Sequence, residues 1–355
     1  MDVPTIEVYD RIAAAYAARR RPALAAEASA FGEQVPAGSW RADLGSGTGR
    51  YTGLLGSPVL ALDASWPMLA LAPAGARVQG DVEAMATSGA RVQGDVEAPP
   101  LRRGALGGAW ANQCYQHVRR EHLPLALARL HDILRVGAPL WLSFAVPTED
   151  DFPGRLFERW SRPDLVRVLE GAGFVVAASP SGPDVVAATR ALTLPDIVRP
   201  GMRVLVCGLN PSVYSAERGV AFARPGNRFW PAALAAGLVG RDRDPWDALA
   251  SHGVGFTDLV KRATPQAAAL RAEEYRAGVA RVGWVAAFLR PRVVCIVGLA
   301  GWRAAVDRTA VAGPQPSGLG GAPVYLMPNP SGLNAHATIE SLAAHLRAAA
   351  ALADA

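Results

Sequence analysis

One group of residues able to do chemistry is a glycine-rich loop that follows a short apolar segment. Asp43 lies two residues before the first glycine of Gly45-Ser46-Gly47-Thr48-Gly49, and Asp63 ends the next apolar run. Glycines let a backbone turn tightly and approach a ligand closely. The second acid can accept hydrogen bonds from ribose hydroxyls, whereas the first would repel a pyrophosphate. The pattern therefore predicts a nucleoside site that suits a cationic ligand.

A second group consists of two Asn-Pro motifs and an aromatic residue. Asn210 follows an apolar segment, Phe222 lies twelve residues further on, and Asn329 follows another apolar segment. Both motifs are expected at the carboxyl ends of strands, where open α/β sheets bind ligands. A carboxamide can orient a water molecule, although it cannot act as a strong general base as a carboxylate can. Because Asn-Pro is also ordinary turn chemistry, the interpretation rests on two such motifs occurring with the aromatic residue.

The elements around the glycine loop alternate as in a nucleotide-binding α/β domain. A helical stretch is predicted over 9–32, strands at 40–44, 59–62, 110–113, 140–145 and 174–177, and helices at 123–134 and 162–170. Strand, glycine loop, helix, strand and acid form half of a βαβ unit. We therefore predict a doubly wound, Rossmann-like α/β fold for this part of the chain.

An internal repeat interrupts the N-terminal region. Residues 76–84 and 90–98 have the same nine-residue sequence, ARVQGDVEA, at a period of 14 residues. A single short repeat does not indicate a solenoid. It indicates a tandem duplication that leaves one copy as an inserted surface loop.

A change of composition divides the chain near its middle. Ser179-Pro180-Ser181-Gly182-Pro183 and Leu194-Pro195 are typical of a linker. We predict domains over 1–178 and 195–355, joined by a linker over 179–194. The second domain is also predicted to be doubly wound α/β with a parallel sheet, with strands at 203–207, 293–297 and 324–327 and helices at 229–238, 273–289 and 338–353.

Charge differs between the two halves. Residues 1–195 contain 19 lysines and arginines and 20 acids, a net charge of −1, whereas residues 196–355 contain 17 and 11, a net charge of +6. A basic domain attracts phosphate backbones.

The cysteines indicate the compartment. Cys114, Cys207 and Cys295 lie far apart and form no Cys/His cluster, so no zinc or iron–sulfur site is expected. Unpaired cysteines fit a reducing cytoplasm. The sequence shows no signal peptide and no apolar run of membrane-spanning length, so we expect a cytoplasmic location close to the nucleoid.

The first group resembles the class I S-adenosylmethionine-dependent methyltransferases over roughly residues 5–178. The resemblance implies S-adenosylmethionine as cofactor. It implies that the acid and glycines of the loop hold the methionine moiety and that Asp63 holds the ribose. The loop residues concerned are Asp43, Gly45, Gly47 and Gly49. A Rossmann-like domain that has lost cofactor binding is the alternative.

The family's third-strand acid, near the adenine, corresponds to either Asp81 or Asp95. Asp95 is preferred because it leads into Pro99-Pro100-Leu101 and the next strand, as the family pattern does. Residues 113–117 lie where this family often lines its substrate pocket, although His117 is expected to be structural or at the surface. No methyl acceptor follows from these residues.

The second group resembles the mismatch-specific uracil-DNA glycosylases, bacterial relatives of thymine-DNA glycosylase. The resemblance covers about 195–352 and includes the segment 253–260, GVGFTDLV. It implies that Asn210 positions the attacking water and that Phe222 stacks on the flipped base. Backbone groups around Leu209 and Phe222 would read the pyrimidine edge.

The downstream motif corresponds to the family's wedge. Leu333 would enter the duplex where the flipped nucleotide leaves, and the amides of Ser331 and Gly332 would contact phosphate oxygens. Asn329 and Asn334 complete the set of predicted DNA-binding residues.

Three further residues keep alternative interpretations. His336 is either a DNA contact or an ordinary surface residue. Asn227 and Arg228 are either loop scaffolding or DNA contacts.

The resemblances imply a monofunctional DNA repair glycosylase that hydrolyses the N-glycosidic bond of uracil or thymine in G·U and G·T mismatches. Its partner would be double-stranded DNA, and a monomer is expected. A methyltransferase domain would be fused to it. Two alternatives are a methyltransferase that the C-terminal domain only delivers to nucleic acid, and a glycosylase whose N-terminal domain is only a binding module.

Overall fold

The chain forms two compact α/β units. The computed structural model describes residues 2–19, 22–72, 76–77, 89–144, 152–177, 184–334 and 336–355. The first unit comprises residues 1–170 and 174–191, and the second comprises residues 171–173 and 192–355. Each unit is built on its own sheet, so the predicted fold class of two α/β domains is confirmed.

The first unit contains a mostly parallel, eight-stranded sheet in the order β3-β4-β2-β1-β5-β6-β8-β7. Its strands are β1 (Arg41–Leu44), β2 (Val59–Asp63), β3 (Ala76–Arg77), β4 (Gly89–Gln93), β5 (Gly108–Asn112), β6 (Pro139–Ser143), β7 (Phe174–Val176) and β8 (Val185–Arg190). Its helices are α1 (Val3–Arg19), α2 (Ala25–Gln34), α3 (Trp66–Ala70), α4 (Leu123–Ile133) and α5 (Arg162–Gly171). β1 and β2 are almost wholly buried, as is usual for parallel strands covered on both faces.

The helical pattern over 9–32 corresponds to two helices. α1 ends at Arg19 and α2 begins at Ala25, with Pro22 between them. Proline lacks an amide donor and its ring clashes with the preceding turn, so a single helix does not run through this position.

The first two residues of the first copy of the internal repeat pair with the start of the second copy. β3 begins the first copy and β4 lies in the second, and they run parallel with Ala76 opposite Ala90 and Arg77 opposite Arg91. These partners are equivalent positions of the repeat. β4, from the second copy, is the strand that pairs with β2. Most of the first copy, including Asp81, lies outside the described residues.

The predicted linker over 179–194 is wrong in its central part. Residues 185–190 form β8, which lies antiparallel between β6 and β7. The β-branched pair Val185-Val186 is buried there, and every residue from 185 to 189 pairs with β6. The Ser/Pro/Gly-rich residues 179–183, which suggested the linker, lie outside the described part of the chain.

The second unit contains a five-stranded sheet in the order β10-β9-β11-β13-β12, in which only β12 is antiparallel. Its strands are β9 (Val204–Gly208), β10 (Val254–Asp258), β11 (Val294–Val297), β12 (Gly313–Pro314) and β13 (Val324–Met327). Its helices are α6 (Val213–Arg218), α7 (Phe229–Ala235), α8 (Pro245–His252), α9 (Ala272–Leu289), α10 (Leu299–Ala305) and α11 (Ile339–Asp354). Both Asn-Pro motifs directly follow strands, β9 and β13, at the carboxyl edge of this sheet. Among the described helices, none is both long and apolar enough to cross a membrane.

Candidate functional sites

The glycine loop follows β1 and contacts the end of β2. Gly45, Gly47 and Gly49 have φ angles of 62°, 55° and 73°, a region that other residues rarely adopt. A β-carbon on Gly45 would lie 2.5 Å from the Cys114 sulfur, whereas one on Gly47 would meet nothing within 4 Å. Gly45 therefore lets the loop pass close to the segment after β5, and Gly47 leaves open space beside the loop.

Two buried carboxylates flank this loop. The Asp63 oxygens accept hydrogen bonds from the amides of Gly47 (2.7 Å) and Ser65 (2.8 Å). Asp43 accepts one from the Thr52 hydroxyl at 2.6 Å. Burial raises the pKa of Asp43 to about 7 and that of Asp63 to about 6. Burial disfavours both negative charges, whereas a cationic ligand beside them would favour their ionised forms and be attracted to them.

The loop and the carboxylates open onto a cavity of about 270 Å³. The predicted residues that line it are Asp43, Gly45, Gly47 and Asp63. Ser46 also lines it, and its buried hydroxyl has no hydrogen-bond partner among the described residues. A buried, unpartnered hydroxyl is costly unless a ligand satisfies it. The open glycine loop, the two acids and this hydroxyl fit a nucleoside that carries a cationic group.

Two of the predicted cofactor residues do not line the cavity. Gly49 closes the turn, since its amide donates to the carbonyl of Ser46 at 2.9 Å. Asp95 follows β4, and one of its oxygens accepts the amide of Glu97. Cys114 lines the cavity, and its pKa is raised mainly by burial, next by the charge of Asp63 and then by that of Asp95. Asp95 therefore lies near the cavity wall.

A second set of polar residues lines the same cavity. Tyr9 comes from α1, Gln116 and His117 from a short 3-10 helix after β5, and Arg155 from a later segment. Of the two expectations for His117, a structural residue or a surface residue, the second is wrong because His117 is 3% exposed; it also lines the cavity. No sequence pattern links residues 9 and 155, so Tyr9 and Arg155 were missed.

In the second unit, Asn210 is held through its amide nitrogen. That nitrogen donates to the carbonyls of Pro211 (3.1 Å) and Arg262 (3.0 Å) and to the Thr264 hydroxyl (2.8 Å). The Thr264 hydroxyl in turn donates to the carbonyl of Gln266. The amide has two hydrogens, so at least one is shared between acceptors, and together the three acceptors fix the orientation of the carboxamide. Its oxygen has no hydrogen bond among the described residues and can accept one from water.

Phe222 is held in an unusual backbone conformation. Its φ is 55°, which is uncommon outside glycine. Its ring stacks on Phe229 with centroids 4.3 Å apart. Phe229 is wholly buried, so the core fixes one face of the Phe222 ring. Leu209, another predicted base-binding residue, has an apolar side chain, so only its backbone can bind polar groups. Its carbonyl accepts a hydrogen bond from the Val260 amide at 3.0 Å.

Arg228 supports the loop that follows β13. Its guanidinium donates to the carbonyls of Ser331 (3.1 Å), Gly332 (3.1 Å) and Asn334 (3.0 Å), and also to that of Ala337. This geometry favours the scaffolding interpretation of Arg228. Asn227 likewise accepts the Phe229 amide through its side chain.

Leu333 lies at the tip of this supported loop. It is 92% exposed, more than any other large apolar residue among those described. At this position the apolar side chain is accessible to a partner, and its burial there would be favourable. Asn334 braces the loop by donating to the carbonyl of Asn329 at 2.9 Å.

The two predicted phosphate-contacting amides differ. The Ser331 amide already donates to the Asn329 side chain at 3.0 Å. The Gly332 amide has no hydrogen bond within the described part of the chain. A β-carbon on Gly332 would lie 2.9 Å from the carbonyl oxygen of Gly226, so glycine allows the two loops to approach. His336 remains exposed.

Asp258, at the carboxyl end of β10, was not singled out from the sequence, although it lies in the quoted segment 253–260. It is 5% exposed, and burial raises its pKa to about 6. A β-carbon on Gly208 would lie 2.3 Å from an Asp258 oxygen and 3.4 Å from the Phe222 ring. The carboxyl and the ring therefore flank the same point of the backbone, one residue before Leu209.

Known proteins resemble each unit. The family model described as the uracil DNA glycosylase superfamily matches residues 195–353, and the model described as a methyltransferase domain matches residues 42–142. The two matches cover the two Asn-Pro motifs and the glycine loop, respectively.

Several solved methyltransferase structures are similar to the N-terminal part. A chain from the complex between the Haloferax volcanii Trm112 methyltransferase activator and the putative methyltransferase is 16% identical, with coverage of 52% of this chain and 97% of that one and a TM-score of 0.39. The 1,6-didemethyltoxoflavin-N1-methyltransferase of Burkholderia thailandensis is 20% identical, with coverage of 54% and 92% and a TM-score of 0.41. An S-adenosylmethionine-dependent methyltransferase from Mesorhizobium loti is 16% identical, with coverage of 46% and 94% and a TM-score of 0.35.

The family matches, rather than these distant structural likenesses, identify the two units. The chain combines a C-terminal domain that matches the uracil DNA glycosylase superfamily with an N-terminal domain that matches the methyltransferase domain family.

Proposed function

We propose that the C-terminal domain is a DNA glycosylase that removes uracil or thymine opposite guanine. The observation that carries this proposal is the fixed carboxamide of Asn210, whose nitrogen is bound on three sides. Its oxygen is thereby directed to accept a hydrogen bond from water. The water would attack C1′ of the deoxyribose as the glycosidic bond to the base breaks.

This chemistry predicts slow turnover. The Asn210 carboxamide can orient the water but cannot take its proton as a carboxylate would. Most of the rate must then come from positioning and from stabilising the departing base. Uracil is a better leaving group than thymine, since it lacks the electron-donating methyl group, so we expect uracil to be excised faster.

Phe222 and Asp258 support a base pocket beside Asn210. The Phe222 ring can stack on a flipped base, a contact worth about 1–3 kcal/mol. The Asp258 carboxyl flanks the same backbone point, at Gly208. With a pKa of about 6, it is mainly ionised at neutral pH and can accept a hydrogen bond from a base N–H. It is therefore proposed as a contact to the edge of the base.

Preference for mismatches follows from the cost of flipping. Removing a base from the stack costs a few kcal/mol, and the cost is lowest where pairing is already imperfect. Leu333, exposed at the tip of the braced loop, would fill the vacated space. The Gly332 amide can bind a flanking phosphate, and the net charge of +6 of residues 196–355 favours duplex DNA.

The test uses labelled duplexes with one central G·U, G·T or A·U pair, together with single-stranded uracil DNA. After incubation, alkali cleaves the strand wherever a base has been lost. We expect cleavage in the order G·U, G·T, A·U, and none with Asn210→Ala. Intact G·U duplex with the wild-type protein would refute the proposal.

For the N-terminal domain we propose S-adenosylmethionine-dependent methyl transfer. Asp43, Gly45, Gly47 and Asp63 would hold the cofactor, with Ser46 satisfied by it. Asp95, at the end of the strand that pairs with β2, is proposed as the adenine-side acid.

Calorimetric titration with S-adenosylhomocysteine tests cofactor binding. We expect binding by the wild type and a loss of at least tenfold in affinity for Asp63→Ala. No heat with the wild type would favour a domain that has lost its cofactor. If uracil is still excised in that case, the protein is a glycosylase whose N-terminal domain is only a binding module. Separately, we expect the protein to act as a monomer.

A further inference from the structure

The cavity of the N-terminal domain is also lined by a hydrogen-bonded chain of side chains outside the glycine loop. The Tyr9 hydroxyl lies 2.9 Å from His117 Nε2, and the Arg155 guanidinium donates to the same hydroxyl at 3.2 Å. On its other side, His117 Nδ1 lies 2.5 Å from the carbonyl oxygen of Leu156. All three side chains, Tyr9, His117 and Arg155, line the cavity.

The protons of this chain can be placed. A carbonyl only accepts, so His117 carries its proton on Nδ1. Nε2 is then an acceptor, and the Tyr9 hydroxyl donates to it. With Arg155 donating to Tyr9, the hydroxyl oxygen keeps one lone pair for a further donor. Tyr9 is therefore poised to receive a proton while passing its own to His117.

A second observation points to a ligand in the same place. Gln116 is 2% exposed and lines the cavity, and its side-chain oxygen has no hydrogen-bond partner among the described residues. A buried oxygen of this kind costs about 1–3 kcal/mol unless a donor reaches it. A bound molecule with an O–H or N–H group would satisfy it.

We propose that Tyr9, Gln116 and His117 form the methyl-acceptor site, and that the acceptor is a small planar aromatic molecule with an ionisable hydroxyl group. The inference rests on the proposed methyltransferase function and deepens it. The aromatic walls favour a planar ring: Tyr9 and Tyr16 pack edge to face with centroids 5.8 Å apart, and Phe157 also lines the cavity. A neutral amine attacks through its lone pair without prior loss of a proton, whereas a hydroxyl benefits from a base. The proton relay therefore favours a hydroxyl.

The reaction balances without further reactants. The bound cofactor supplies an activated methyl group. The acceptor oxygen forms a bond to the methyl carbon, the carbon–sulfur bond breaks, and its electron pair stays on sulfur as S-adenosylhomocysteine. The acceptor proton moves to Tyr9 as the Tyr9 proton moves to His117, which becomes an imidazolium and later releases the proton to water. Burial raises the pKa of Tyr9 well above its usual value, so the two transfers must be coupled, without a lasting tyrosinate.

Charge argues against nucleic acid as the acceptor. Residues 1–195 have a net charge of −1, so this domain lacks the basic excess that attracts a phosphate backbone. A small molecule entering a cavity that several aromatic side chains line, among them Tyr9, Tyr16 and Phe157, needs no such excess.

The experiment uses the full chain saturated with S-adenosylhomocysteine and 4-nitrophenol as the acceptor probe, whose absorbance reports its ionisation. We expect binding with a shift toward the phenolate spectrum. Gln116→Met should weaken binding at least tenfold, and Tyr9→Phe should remove the spectral shift. Tyr115→Phe is the matched control, because its hydroxyl is equally buried and unpartnered but does not line the cavity.

With S-adenosylmethionine, formation of 4-nitroanisole should depend on Tyr9 and Gln116 in the same way. Two results would overturn the inference: no binding of 4-nitrophenol to the loaded wild type, or equal effects of the cavity variants and Tyr115→Phe. Binding of S-adenosylhomocysteine is measured separately. If S-adenosylhomocysteine binds and 4-nitrophenol does not, the proposed acceptor site is refuted while the proposed methyltransferase function stands. If S-adenosylhomocysteine itself does not bind, both proposals are refuted.

Discussion

Replacing Leu333 by alanine should separate opening of the duplex from chemistry. Leu333 is 92% exposed in the free protein, so the substitution removes no packing, and surface changes of this kind alter the free energy of unfolding by at most about 0.5 kcal/mol. In the proposed complex the side chain is buried where the base has left. Leucine to alanine removes three carbons, each worth about 0.8 kcal/mol when buried. Allowing for incomplete burial, we expect a loss of about 2 kcal/mol, or about 30-fold in kcat/KM.

The assay is single-turnover excision of uracil from G·U duplex and from single-stranded DNA. In a single strand the base is already unstacked and no gap in a duplex needs filling. Leu333→Ala should therefore lose about 30-fold on the duplex but less than threefold on the single strand. Val311→Ala is the control, because Val311 is 68% exposed in the same domain but lies outside both Asn-Pro motifs.

Two outcomes would contradict the proposed role of Leu333 in the duplex. An equal loss on both substrates would mean that Leu333 acts on the chemical step or on folding. No loss on the duplex would mean that another group occupies the vacated space.

Three further predictions concern groups that act on these sites. Thr264→Val removes one of the three hydrogen-bond acceptors of the Asn210 carboxamide. The loss of about 1 kcal/mol should lower the rate of single-turnover excision about fivefold and leave the affinity for DNA unchanged. An equal drop in affinity would contradict this role of Thr264. Arg228→Ala removes the donor to four carbonyls in and after the loop that follows β13. A hydrogen bond to a charged group contributes about 1.5–3 kcal/mol, so excision from duplex should fall at least tenfold. Excision at the wild-type rate would show that the loop needs no such support. The pKa of Asp43 is raised to about 7, so near and below pH 7 a cationic cofactor must displace a proton from this carboxyl. Affinity for S-adenosylmethionine should therefore increase about tenfold as the pH increases from 6 to 8, whereas Asp43→Asn should bind weakly without this increase. A flat wild-type profile over this range in titration calorimetry would contradict the assignment.

Local sequence patterns located most strands and both strand-end motifs. β2, β9 and β13 are short apolar runs, and glycine or Asn-Pro follows β1, β9 and β13 within two residues. Such signals mark the carboxyl edge of a parallel sheet. The pattern failed at β8, where nearby serine, proline and glycine outweighed the β-branched pair Val185-Val186. Pairing with β6 and β7 on both sides makes this segment a strand, and such pairing is a long-range property.

The candidate sites show the same division between local and distant information. Asn210, Phe222 and Leu333 are visible in the sequence because each belongs to a compact motif. The support of these residues is not visible, since the Thr264 anchor lies 54 residues from Asn210 and the Ser331 carbonyl lies 103 residues from Arg228.

The relay in the N-terminal cavity has no local signature. Its contacts join residues 108 and 146 positions apart. Tyrosine, histidine and arginine each occur elsewhere in the chain for ordinary structural reasons. Only their convergence on one cavity, next to an unpartnered Gln116 oxygen, distinguishes them.

The central claim is that Asn210 directs water to break the bond between uracil and deoxyribose. Its most direct measurement is the amount of free uracil released from a G·U duplex in one turnover, by wild type and by Asn210→Ala at protein concentrations that bind all the DNA. We expect one uracil and one alkali-labile abasic site per duplex for the wild type, and a loss of at least a hundredfold in rate for Asn210→Ala with DNA binding retained. Equal rates of uracil release by the two proteins would contradict it.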